Sequence, residues 1–109
     1  MHSLSTINPR TIPWKLVGQG VYRKDILHDK KSGQFLSFFK INKGAKLKKH
    51  SHPKKEWVYV LDGTYEDEYG NVAKGMIKIN AKGSVHTSKS RKGCTLLVFW
   101  SGKHTLITQ

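Results

Sequence analysis

The chain has 109 residues, 37% of them hydrophobic, and carries 20 Lys and Arg against 7 Asp and Glu, a formal charge of +13. That length admits one compact domain and excludes a multidomain enzyme. Three Trp, four Tyr and four Phe argue against a disordered basic tail, and the single Cys94 excludes both a disulfide framework and a four-cysteine zinc site.

In chain order, residues 1–13 read as an N-terminal arm. Pro9 and Pro13 oppose regular helix there, and Ser, Thr and Asn are frequent. The arm lacks the apolar core of a signal peptide, and no stretch is apolar enough to span a membrane, so cytoplasmic residence is expected. Residues 14–109 form the domain, with Trp14 as the apolar anchor. Short strands follow: Val21 to Leu27, Gln34 to Ile41, a segment from Ala45 to His52, and Glu56 to Leu61. Asp62-Gly63 is expected to end the last of these, with Thr64 to Asp67 returning antiparallel and Tyr69-Gly70-Asn71 turning again. Lys74 to Ile79, Gly83 to Thr87 and Thr95 to Trp100 supply more strands. The last, TLLVFW, is apolar on both faces and is expected to be buried. Many short strands with Gly at the turns indicate an all-β sandwich or small barrel.

The charge is mostly Lys, spread over nearly every segment, and only Arg10, Arg23 and Arg91 offer guanidinium forks. Neither a long basic tract nor a nucleic-acid module is present, so no specific nucleic-acid partner is expected. The lysines describe a solvated surface that attracts anions without specificity. Lys54 and Lys55 are the exception, because their turn joins two candidate ligand strands and favours an anionic ligand.

Those strands carry the sharpest chemical feature. On an extended strand, residues two apart share a face, so His50 and His52 direct two imidazoles into one cavity. After the turn at Pro53-Lys54-Lys55, Glu56 can return a carboxylate to the same place, with Val58 and Val60 closing the space below. His86, after Gly83-Ser84-Val85, is placed to enter from a neighbouring strand. Three imidazoles and a carboxylate suit iron, zinc, manganese, nickel, copper or cobalt, and do not suit a calcium cage. Two surface histidines are the plainer reading of an isolated His-x-His.

The segment from Gly44 through His50-Ser51-His52 and Glu56 to Gly63 resembles the first conserved motif of the cupins at every fixed position. The second motif is met at Gly75, Gly83 and His86, while Ala81 replaces its proline and Ser90 its asparagine. Trp14, Gly20 to Lys24, Asp62 to Gly70 and Gly93-Cys94 make the chain most similar to the ChrR type of cupin domain. The resemblance implies a double-stranded β-helix (jelly-roll) barrel. It makes His50, His52, Glu56 and His86 the metal ligands, with iron or zinc as the leading ions. It implies either a non-haem dioxygenase acting on a small diketone or aromatic ketone, or a non-catalytic zinc-binding regulatory domain.

Other residues are weaker candidates. Cys94 reads as a small core residue. Trp57, Tyr59 and Leu61 form an apolar outer face suited to a homodimer. Tyr65 and Tyr69 could reach a pocket rim, with surface packing as the default reading, and the acids Asp62, Glu66, Asp67 and Glu68 read as a solvated turn.

Overall fold

The structure is a computed structural model, and it describes residues 5–51, 55–101 and 105–106. Ten antiparallel strands are present among them: β1 (Lys15–Gly18), β2 (Val21–Asp29), β3 (Gln34–Ile41), β4 (Lys46–Ser51), β5 (Glu56–Asp67), β6 (Gly70–Ala73), β7 (Ile77–Asn80), β8 (Val85–Lys89), β9 (Cys94–Ser101) and β10 (Thr105–Leu106). The strand order is β1-β2-β3-β9-β5-β8-β4-β10, with β6 and β7 also paired to β5. The expected all-β barrel is therefore observed.

β5 holds the two halves together. Its first part, from Glu56, lies between β7 and β9; its last part pairs with β6 and β8. Asp62-Gly63 does not end this strand, contrary to the expectation from sequence. The ladder to β9 slips between Val60 and Asp62, and Gly63 takes φ of 75° directly opposite Cys94. A Cβ on Gly63 would lie 2.0 Å from the Gly93 carbonyl oxygen, so only glycine allows β5 to bend past β9 there.

The core fills the space between the halves. Val58 and Val60 on β5 face Leu96 and Val98 on β9, and all four are buried. Phe35 of β3 stacks on Trp100 at a centroid distance of 4.1 Å. The TLLVFW strand is sealed on one face only: Leu96, Val98 and Trp100 are buried, whereas Leu97 and Phe99 are half-covered. Cys94 is buried, and burial pushes its thiol pKa up, as befits a core residue.

Pro9–Thr11 form a short 3-10 turn, and the Lys24 ammonium donates to the Pro9 carbonyl at 3.0 Å. Trp14 is half-buried beneath the ammonium groups of Lys24 and Lys40, at 4.6 and 5.1 Å from its ring. Cation–π contact thus supplements apolar packing at this anchor. Among the described residues no helix is long and apolar enough to cross a membrane.

Candidate metal centre and its cavity

Two of the four expected ligands are buried polar groups inside the barrel. Glu56 opens β5 and is 4% exposed. Its Oε1 accepts a 2.9 Å hydrogen bond from Asn80 Nδ2, its direct partner on β7. His86 on β8 is 1% exposed. The backbone register sets His50 of β4 opposite His86. His52 and Lys54 lie outside the described residues.

His86 is fixed by a neighbour that sequence reasoning placed in solvent. Its Nδ1 stands 3.0 Å from Asp67 Oδ2, and the side chain of Asp67 is wholly buried. The Lys78 ammonium pairs with the same oxygen. A carboxylate at Nδ1 selects the tautomer that presents Nε2 as the lone-pair nitrogen, the arrangement usual for metal-ligating histidines. Burial presses the Lys78 pKa down, and the nearby charge of Glu56 opposes that shift. Lys78 therefore lies within the field of both carboxylates.

Tyr65 completes the polar cluster. It is 3% exposed, and its hydroxyl shares a 2.6 Å hydrogen bond with Ser88 Oγ. Its ring centroid is 6.5 Å from that of His86. Burial, aided by the charge of Glu56, raises its pKa, so it is a neutral phenol throughout the physiological range.

The acidic cluster thus separates into different roles. Asp62 and Glu68 are exposed, in keeping with a solvated turn. Asp67 faces inward. Glu66 is 5% exposed and accepts from Arg91 Nε at 2.9 Å and from the Arg91 backbone at 3.0 Å, bonds that hold its carboxyl pKa below the usual range. Tyr69 is 74% exposed, as expected. Ser90 is fully buried, and its hydroxyl donates to the Thr64 carbonyl. The departure from asparagine there has a structural use.

A cavity of about 760 Å³ opens beside this cluster. Glu56 and Tyr65 reach its wall, together with Val58, Val98 and Trp100. His86 is not part of that lining. Among the described residues no three His, Cys, Asp or Glu side chains are grouped closely enough to hold an ion by themselves. Glu56 and His86 nonetheless have the donor chemistry of a transition-metal site, and each has a buried polar partner that orients it.

The family model for the ChrR cupin-like domain matches residues 2–103. The chain belongs to the ChrR cupin-like family. This cupin superposes on an RmlC-like cupin protein from Ralstonia eutropha with a TM-score of 0.88 at 16% identity, over 98% of this chain and 74% of that one. An acetylacetone dioxygenase from Acinetobacter johnsonii gives 0.85 at 11% identity, over 100% and 80% of the two chains. A chain in the crystal structure of Rhodobacter sphaeroides SigE with the anti-sigma ChrR gives 0.74 at 22% identity; the match covers 84% of the cupin but only 51% of that chain. These identities establish a shared fold. A comparison with curated proteins gave no match.

Proposed function

We propose that this cupin binds a divalent transition ion through His50, His52, Glu56 and His86 and acts as a non-haem dioxygenase on a small diketone or aromatic ketone. The carrying observation is the pairing of a buried, carboxylate-oriented imidazole at His86 with a cavity whose wall includes Glu56. A purely structural zinc site needs no such cavity. Iron, when bound, supplies the redox chemistry required to use dioxygen. The chain's own residues orient and enclose: Asp67 holds His86, Asn80 holds Glu56, and Val58, Val98 and Trp100 exclude water from the reacting ketone. Tyr65 offers a neutral hydroxyl group in the same wall.

Zinc-dependent regulation is the second reading, favoured by the likeness to a chain of the SigE–ChrR complex. Purification without an affinity tag, followed by metal analysis and oxygen-uptake assays with acetylacetone and aromatic ketones, separates the two. Bound iron with substrate-dependent oxygen uptake is expected. Tight zinc with no turnover across that panel would overturn the dioxygenase.

The same proposal includes a homodimer. β7 is inverted in polarity, with Lys78 and Asn80 turned inward and Ile77 and Ile79 outward, at 62% and 51% exposure. These isoleucines stand opposite Tyr59 and Trp57 on β5, which are also exposed. The four form a continuous apolar strip on one sheet face. Leu61, expected in this face, sits where the ladder slips and is half-covered. Trp57→Glu is expected to give a monomer in sedimentation velocity where the wild type gives a dimer.

A further inference from the structure

The interior cation on the far wall of the cavity is not used by the metal reading. Arg23 extends inward from β2, and its side chain is 29% exposed. Its Nε lies 2.7 Å from Asp25 Oδ1, and Nη2 lies 3.3 Å from Asp25 Oδ2. The guanidinium carbon is 5.3 Å from the centroid of Phe35. Nε is buried and makes no hydrogen bond of good geometry despite its approach to Asp25; the hydrogen bond of the pair runs from Nη2, and among the described residues none involves Nη1. An ion pair in a wall of Val, Leu and Trp carries a desolvation cost that apolar side chains would avoid.

The charges around it do not cancel. Asp25 accepts from the Ser37 hydroxyl at 2.8 Å and from the Lys15 ammonium at 3.3 Å, so one carboxylate faces two cations. Burial works against ionised Asp25, but the Ser37 hydroxyl and the Arg23 charge outweigh it and lower its pKa. Arg23 therefore stays clamped and oriented at neutral pH. Among the described residues, the charged side chains lining the cavity are Arg23, Lys46 and Lys48 against Glu56. Phe35, Trp100 and Glu56 are successive partners across β3, β9 and β5. Strands about 4.8 Å apart put the Phe35 and Glu56 backbones roughly 10 Å from each other, a gap that a small aromatic keto acid can bridge.

We infer that Arg23 is an anion anchor and that the cavity takes a small organic carboxylate with an apolar body, its carboxylate on the open edge of Arg23 and its body against Trp100, Phe39 and Val98. This rests on the reading of the cavity as a substrate site, and it narrows that substrate from a ketone to a keto acid. The fork of Arg23 suits a carboxylate, whereas the exposed Lys46 and Lys48 add attraction without direction.

The test compares benzoylformate with its methyl ester, which keeps the shape and removes the charge. Binding of each is measured by calorimetry at high and low salt, on metal-loaded and chelator-stripped protein. The acid is expected to bind about tenfold more tightly than the ester, as for one charge-assisted contact. Arg23→Gln is expected to remove that preference while leaving ester binding unchanged, and Arg23→Lys to restore part of it. Equal binding of acid and ester to the wild type would overturn the inference without need of any variant. So would a preference that survives in Arg23→Gln and disappears with salt, since surface lysines would then be responsible. Acid preference in protein that never takes up metal leaves Arg23 assigned and removes only the metal reading.

Discussion

His86→Ala is expected to reduce bound metal from near-stoichiometric to a small fraction, and Asp67→Asn to weaken metal affinity by about 10–100-fold with the ligand set intact. The difference follows from their roles. His86 would donate a lone pair to the ion. Asp67, 3.0 Å from Nδ1, sets which nitrogen carries that lone pair and how the ring is turned. Asparagine keeps the shape but loses the charge that favours the Nδ1–H tautomer. It also takes from the Lys78 ammonium the carboxylate it contacts, leaving only the nearby charge of Glu56. Breaking a fully buried pair costs about 3–5 kcal/mol, and less is expected here because Lys78 keeps 16% exposure. Adding Lys78→Met to Asp67→Asn should therefore recover stability without recovering metal affinity. Competition titration against a chelator gives the affinities, and thermal unfolding of the apo forms gives the stabilities. Unchanged metal content in His86→Ala would remove it from the ligand set. Unchanged affinity in Asp67→Asn would reduce Asp67 to a packing partner of Lys78.

Gly63→Ala is expected to be the most destabilising conservative change in the barrel. The added Cβ would meet the Gly93 carbonyl oxygen at 2.0 Å and the Cys94 Cα at 2.8 Å, both backbone atoms. No rotamer change relieves such a contact. Relief requires β5 and β9 to part where the ladder between them already slips. Backbone strain and clash together are expected to cost on the order of 3 kcal/mol. For a domain of this size that lowers Tm by roughly 10–20 °C. Gly44→Ala is the control: φ is 83° there, yet nothing lies within 4 Å of the new carbon. Only the cost of an L-residue in the left-handed region applies, about 1–2 kcal/mol. Equal losses at the two positions would mean that the close approach at Gly63 contributes nothing.

Gly63 also explains what could not be read from the chain. Aromatic and β-branched runs marked β2, β3, the first half of β5 and β9, because these residues fit a pleated, half-buried surface. Glu56, Val58 and Val60 point inward as their alternation requires. Continued alternation would then bury Glu66 and Glu68 on the core face. The slip between Val60 and Asp62 reverses the parity, so Tyr65 and Asp67 enter the barrel instead. A one-residue bulge has no compositional mark beyond its glycine, and Asp62-Gly63 reads equally well as a turn. Glu66 is buried for a separate reason, the distant Arg91, which no local pattern announces. The clue to Lys78 was in plain sight: in IKIN the charged and amide residues alternate with isoleucines. Near a polar interior site, the hydrophobic partners of that pattern are the ones left outside. Arg23 gave no signal, since its meaning depends on Asp25, Ser37 and a cavity formed by strands far apart in sequence.

The passage of β5 through both halves of the barrel makes each half responsible for a different support of the site. Glu56 is aligned by β7 and β9, whereas Asp67, which aligns His86, is placed by β6 and β8. A nascent chain with one half assembled owns a carboxylate without its histidine, or a histidine without its carboxylate. Under the proposed ligand set, an ion would need both halves of the barrel in place before it could meet an aligned Glu56 and an aligned His86 together.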